Sequence, residues 1–196
     1  MIVKLTPYLP ENCENLVVEI LQKHTIQIKI VNKRASKHGD FKRLLNGSFI
    51  ITINNSLNPY QFLLTLIHEI AHFVTHKEYP RAKPHGIEWK RNFQHLMLPF
   101  VQPSIYPTDI LPLLANYLKN PKASTGADVN LAYALKQFDD ISGKNFIFEV
   151  HQGNNFSYKG RIFKKGNKRR TRIECLEISS NRIYLFNQNA EIDILK

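Results

Sequence analysis

The chain is poor in several features that would place it in a familiar class. Its 196 residues hold two cysteines, Cys13 and Cys175, set far apart in regions of different texture. Two such thiols make neither a disulfide framework nor a paired-thiol metal knuckle, and both are expected to be reduced. No uncharged apolar run approaches the roughly 20 residues needed to cross a bilayer. The opening Met1-Ile-Val-Lys-Leu-Thr-Pro lacks the basic, apolar and small-residue regions of a signal peptide. A cytoplasmic protein without membrane contact is the expectation. No internal repeat and no long low-complexity tract is present.

Acidic residues are also scarce. Sixteen Asp+Glu stand against 27 Lys+Arg, a formal charge of +11. Such an excess suits a polyanionic partner, since cations that neutralise phosphates release condensed counterions, although a solvated basic face has the same composition. With 43% hydrophobic residues, the chain can bury one core and a smaller appendage.

Pattern divides it further. Leu16, Val17, Ile20 and Leu21 predict a helix from Pro10–Asn12 to about His24, followed by strands at Thr25–Asn32 and Ser48–Asn54 that pair, with a basic loop between them. Asn58-Pro59 reads as a helix start, and Phe62, Leu63, Leu66, Ile67, Ile70, Ala71 and Val74 line one apolar face up to about His76. Three more helices are predicted at "IEWKRNFQHLM", "DILPLLANYLKN" and "DVNLAYALKQFD", the last two joined by the linker-like "NPKASTG". Beyond Asp140 short β-rich runs separated by Gly, Asn and Ser imply a small antiparallel sheet. The expected class is therefore α+β, with domains at 1–120 and 141–196 and a linker and helix at 121–140.

The chemistry concentrates in "LIHEIAHFVTHKEYPRAKPHG". His68-Glu69-Ile70-Ala71-His72 is an H-E-x-x-H string, and residues four apart lie one turn above another on the same helix face. Both imidazoles can then reach one zinc ion, with Glu69 beside it as a base. A third ligand must come from elsewhere. His85 is the candidate, because it follows a proline-containing loop and precedes Gly86, which lets the backbone turn back over the helix. His76 would stretch ligation over three turns of one helix and is set aside; Glu88 is a reserve ligand. Tyr79, in the loop between the ligand segments, is a candidate transition-state stabiliser or else a packed anchor. Trp89 reads as packing behind His85.

The arrangement "INNSL…FLLTLIHEIAHFVTHKEYPRAKPHGIEWKRNFQHL" resembles the SprT-like family of zinc metalloproteases, in which H-E-x-x-H is followed by an H-G-x-x-W or H-G-x-x-F segment, here His85-Gly86-Ile87-Glu88-Trp89. The resemblance covers roughly residues 25 to 100. It implies a compact zincin-like domain with an N-terminal helix, a small antiparallel sheet and two ligand-bearing helices. It further implies a zinc endopeptidase of protein or peptide substrates, and its eukaryotic branch cleaves proteins crosslinked to DNA.

Many members carry a C-terminal zinc ribbon with two cysteine pairs; here that region keeps Cys175 alone. A metal-free remnant is expected, held by Phe146, Phe148, Phe156, Ile162, Phe163, Ile173, Leu176, Ile183, Tyr184 and Leu185. It also carries the densest basic run, Lys164, Lys165, Lys168, Arg169, Arg170 and Arg172. With aromatics on adjacent strands, this is a candidate nucleic-acid contact, here DNA, and Lys33–Arg43 adds a second basic segment. Two other classes compete with the enzyme: a zinc-stabilised DNA-binding adaptor, and a nucleic-acid scaffold whose histidines are coincidental.

Overall fold

Helical spacing of Leu16, Val17, Ile20 and Leu21 produces α1 (Glu14–Gln22). It starts later than Pro10–Asn12 because Asn12 adopts a left-handed backbone (φ 61°) and its side-chain amide donates to the Ser104 carbonyl at 3.0 Å. The computed structural model describes residues 5–34, 36–139 and 145–195. The chain folds as two units, Met1–Asp139 and Asp140–Lys196, each with its own apolar core.

Strands β1 (Gln27–Val31), β2 (Gly39–Arg43) and β3 (Phe49–Asn54) form a sheet of order β1-β3-β2. The two expected strands do pair, but β1 runs parallel to β3, and the sheet is mixed where the resemblance implies an antiparallel one. The difference comes from β2, which lies within the stretch read as a basic loop. It pairs antiparallel with β3 through a turn in which Gly47 takes φ 80°. A hairpin therefore occupies one side of β3, and β1 fills the other.

Asn58 and Pro59 start α2 (Pro59–Glu78) as expected: the Asn58 side chain accepts from the Gln61 N–H at 2.9 Å, a cap worth about 1 kcal/mol. The helix is buried nearly all round from Phe62 to Ala71, not along one face, because the sheet and further helices surround it. Helices α3 (Ile87–Met97), α4 (Leu111–Lys119) and α5 (Val129–Lys136) follow. Leu131 and Leu135 of α5 join the core of the first unit, and the Asn58 amide donates to the Leu135 carbonyl at 2.8 Å and to Asp139 at 2.6 Å. The stretch read as a linker and helix thus packs its helix into the first unit. The boundary expected at 140–141 lies outside the described residues.

In the second unit β4 (Asn145–Phe146), β5 (Asn155–Tyr158), β6 (Arg161–Arg169), β7 (Arg172–Glu177), β8 (Ile183–Asn187) and β9 (Glu191–Ile194) form an antiparallel sheet of order β4-β9-β5-β6-β7-β8. Of the expected core, Phe156, Phe163 and Ile173 are buried in it, with Phe148 and Tyr184 packed against it. Ile162, Ile183 and Leu185 are 45%, 65% and 56% exposed, contrary to expectation. Strand parity explains it: with Phe163 and Phe186 inside, alternate residues must point out. Ile147, Val150, Cys175, Phe186 and Ile192 complete the core, the last from β9, which the sequence reading had not picked out as a strand.

Candidate metal centre

Helix α2 presents His68 and His72 one turn apart, as their spacing requires. His85 reaches them from the loop before α3, and its own backbone is left-handed (φ 58°). The turn expected of Gly86 is made by His85 instead, since Gly86 has φ −69° and caps α3. Glycine at 86 answers a different need: an added Cβ would lie 2.9 Å from the Lys83 carbonyl oxygen. Helix α3 is clamped to α2 by Asn92, whose amide donates to Thr75 Oγ1 at 3.1 Å and Glu78 Oε2 at 3.0 Å. That clamp sets the His85 loop against the first two histidines.

The three Nε2 atoms form a closed triangle, 3.3 Å for His68–His72, 3.0 Å for His72–His85 and 3.3 Å for His68–His85. Three mutual contacts cannot all be hydrogen bonds, because in at least one pair both nitrogens carry a proton or both carry a lone pair. Nitrogens about 2.0–2.1 Å from a tetrahedral zinc stand about 3.3–3.4 Å apart, the spacing of two of the three pairs, while His72–His85 is shorter at 3.0 Å. Burial, then repulsion from its partners, lowers the pKa of His68 to about 3 and of His72 to about 4, and burial lowers that of His85. All three rings are therefore held neutral, the form that binds metal. Among the described residues no fourth side chain joins the group, as in zinc sites that keep a position open for chemistry.

Trp89, fully buried, is the wall behind all three rings, 4.7 Å from His68 and His85 and stacked on His72 at 5.3 Å. Phe93 stacks on its far face. His76 lies away from the triangle, against Phe41 and Phe49. Glu88 sits in the first turn of α3 and is not part of the metal-holding group. Tyr79 is half-exposed at the C-cap of α2, and among the described residues no ring contact or hydrogen bond joins it to the histidines.

Glu69 is 7% exposed and points toward β2, where its carboxylate accepts a hydrogen bond from the Phe41 backbone N–H. Burial, then the nearby Asp40 charge, raises its pKa to about 7; the Phe41 N–H and the charges of Arg34 and Lys37 act in the opposite direction. Asp40 is itself held by Lys37 at 3.0 Å and Lys42 at 3.1 Å.

Gly39 is where strand and helix meet. A Cβ there would lie 2.7 Å from Thr65 Cγ2 and 2.8 Å from both Cγ and Oε1 of Glu69. A cleft of about 250 Å³ opens beside it, with Gly39, Thr65, His68 and Glu69 in its lining and Ser36 and Ser124 exposed at its edge. A second cavity, of about 290 Å³ between α1, α2 and α3, is lined by Leu16, Ile20, Val74 and Leu96 and contains none of the site residues. The sequence reading missed β2, Gly39 and the Phe41 N–H. Asn46-Gly47, a strong hairpin-turn signal, would have revealed the strand.

The basic run of the second unit is not uniform. Lys165 donates to the carbonyls of Phe148 at 3.1 Å and Val150 at 2.5 Å, and Arg169 pairs with Glu174 at 2.6 Å. Lys164, Lys168, Arg170 and Arg172 are exposed. Phe156, Phe163 and Phe186 pack into their own core, so they offer no stacking surface beside these cations.

Compared with curated proteins and with solved structures, the chain gives no match. One family model does match, over residues 22–94, the span that carries β1 to β3, α2, the three histidines and Glu69. That segment is similar to the IrrE N-terminal-like domain, Peptidase_M78, a metallopeptidase-like family.

Proposed function

We infer that the chain is a zinc-dependent endopeptidase, and the observation that carries this is the Nε2 triangle of His68, His72 and His85 with Glu69 buried beside it. Zinc held by the three imidazoles supplies Lewis acidity toward a peptide carbonyl and toward water. The remaining work belongs to the chain. Glu69 takes the proton of the attacking water on its carboxylate and delivers it to the leaving amine nitrogen. Trp89 and Phe93 fix the imidazoles from behind, and the Phe41 N–H fixes the carboxylate. The family match supports metallopeptidase chemistry, and the His85-Gly86-Ile87-Glu88-Trp89 segment supports the narrower SprT-like reading.

The substrates we propose are DNA-associated or DNA-crosslinked proteins. The +11 charge and the exposed Lys164, Lys168, Arg170 and Arg172 support this. DNA contact then runs through phosphates and not through base stacking. Both thiols are buried, Cys13 with its pKa pushed up to about 12 and Cys175 to about 11 by burial, which suits a reducing cytoplasm.

The decisive test compares wild type with Glu69→Gln. Both should bind zinc one to one, while the variant loses about 10²- to 10⁴-fold in cleavage of a DNA-binding protein substrate. Unchanged cleavage by Glu69→Gln removes Glu69 from the mechanism. Zinc binding without cleavage by the wild type, with or without DNA, turns the reading to the adaptor.

A further inference from the structure

The topology of the first sheet forces the chain across the end of β3. Strand β1 runs parallel to β3 and β2 antiparallel to it, on opposite sides. The chain therefore leaves β1 at Val31, opposite Asn54, and enters β2 at Gly39, opposite Ile53. Carbonyls turned inward on that crossing need donors. Asn54, the last residue of β3 and 1% exposed, supplies them. Its side-chain amide donates to the Lys37 carbonyl at 2.8 Å and to the Arg34 carbonyl at 3.3 Å, and its backbone N–H donates to the His38 carbonyl at 2.9 Å. Its Oδ1 accepts from Arg34 Nε at 2.9 Å. The remaining guanidinium nitrogens of Arg34 donate to Thr52, to Oγ1 at 3.0 Å and to the carbonyl at 3.4 Å. Both N–H groups of the Asn54 amide and its oxygen are thus engaged.

Strand pairing does not need this side chain. At the end of β3 the ladder is made by backbone, with the Asn54 N–H on His38 and the Asn55 N–H on the Val31 carbonyl at 2.8 Å. From Gly39 onward β2 is held by β3, Phe41 opposite Ile51. What the Asn54 amide adds is a hold on the stretch before Gly39. Residues 36–38 lie in the wall of the cleft of about 250 Å³ that opens on His68 and Glu69.

We propose that Asn54 is a positioning residue which, clamped by Arg34, holds residues 36–38 as a fixed wall of the substrate cleft, a role that rests on the chain being a peptidase. Loosening the clamp lowers the fraction of molecules whose cleft is ready for substrate, and apparent affinity falls by the same factor. The Phe41 N–H stays in its ladder beside Glu69, so the chemical step is spared.

Arg34→Met removes the clamp and leaves the buried amide in place. It should raise KM for a peptide substrate roughly tenfold, with kcat within about twofold of wild type. Mere loss of stability would do the reverse, lowering the amount of active protein and hence the apparent kcat at constant KM. Asn54→Asp sets an oxygen against the Lys37 carbonyl and should raise KM further. Amide exchange of the full chain, followed by NMR, needs no activity. In Arg34→Met the Asn54 N–H should exchange roughly tenfold faster, and the Asn55 N–H, bonded to β1, should not. An Arg34→Met protein with the KM of wild type, or one whose kcat falls at constant KM, overturns the proposal. So does an unchanged Asn54 exchange rate. Arg34→Lys keeps the charge and loses the planar fork, and a wild-type KM in that variant assigns the effect to charge and overturns the clamp. A wild type that binds zinc and cleaves nothing overturns the peptidase reading instead, and the exchange rates then still decide whether Asn54 and Arg34 hold the wall.

Discussion

Replacing Gly39 by alanine tests how closely strand and helix are fitted at the candidate metal centre. The backbone poses no obstacle, because Gly39 is not among the residues with positive φ. Space does. The new methyl would sit 2.7–2.8 Å from Thr65 Cγ2, Glu69 Cγ and Glu69 Oε1, about 0.6–0.7 Å short of the 3.4 Å at which ordinary contact begins. Thr65 and Glu69 are buried at 5% and 7% exposure and have little room to give. If β2 lifts away instead, the Phe41 N–H leaves the carboxylate.

The first movement displaces Glu69 by about half an ångström and the second takes the Phe41 N–H from its carboxylate; overpacking of this kind costs about 1–3 kcal/mol. A misplacement approaching 1 Å costs about 10²-fold in rate, so a loss of tens-fold in kcat/KM is expected. Zinc should stay bound, since the clash falls on Glu69 and Thr65 and not on the triangle. Thermal denaturation, zinc stoichiometry and peptide cleavage measure the three effects separately. Thr65→Ser in the alanine background removes Cγ2 and should restore part of the stability while leaving the rate low. An alanine variant with unchanged melting temperature and unchanged kcat/KM refutes the argument.

Other consequences are more local. His85→Ala should abolish tight zinc binding, and saturating zinc at about 1,000 times its Kd should stabilise wild type by about 4 kcal/mol, read as a rise in Tm over chelated protein that the variant lacks. In the metal-free protein His68 and His72 titrate near 3 and 4, against an ordinary 6.5. The unfolded chain takes up protons first, so metal-free stability should be full above 6.5 and fall as pH drops toward 3; a Tm flat across that window contradicts the burial of these rings. Glu177, held by Arg161 and Ser180, has its pKa lowered to about 2 from 4.5. Its contribution should be present above pH 4.5 and vanish as pH falls through about 2, and Arg161→Met should flatten the pH dependence of melting of the second unit.

How much was legible beforehand follows the range of each interaction. Helix α3 occupies Ile87–Met97, the stretch quoted from the sequence, and Asn58-Pro59 placed the start of α2, because caps and periodicity act within one turn. Strand β2 was invisible as a strand because three of its five residues are charged, and what holds it is the edge of β3. The outward turn of Ile183 and Leu185 depends on which neighbours face the core. Lys165 and Arg169 looked like the other basic residues of their run until a bulge in β6, two carbonyls and Glu174 gave them local partners.

By itself, the sequence determined the α+β class, the helix that bears His68, Glu69 and His72, and the choice of His85 over His76. Each rests on local geometry: helical pitch aligns residues four apart and rotates a third away. Only the tertiary structure decided that β1 runs parallel to β3, that His85 and not Gly86 takes the left-handed turn, and that Gly39 must be bare for β2 to reach Glu69. Those outcomes depend on which distant segments arrive beside one another, and packing between segments far apart in the chain leaves no periodic trace in either one alone.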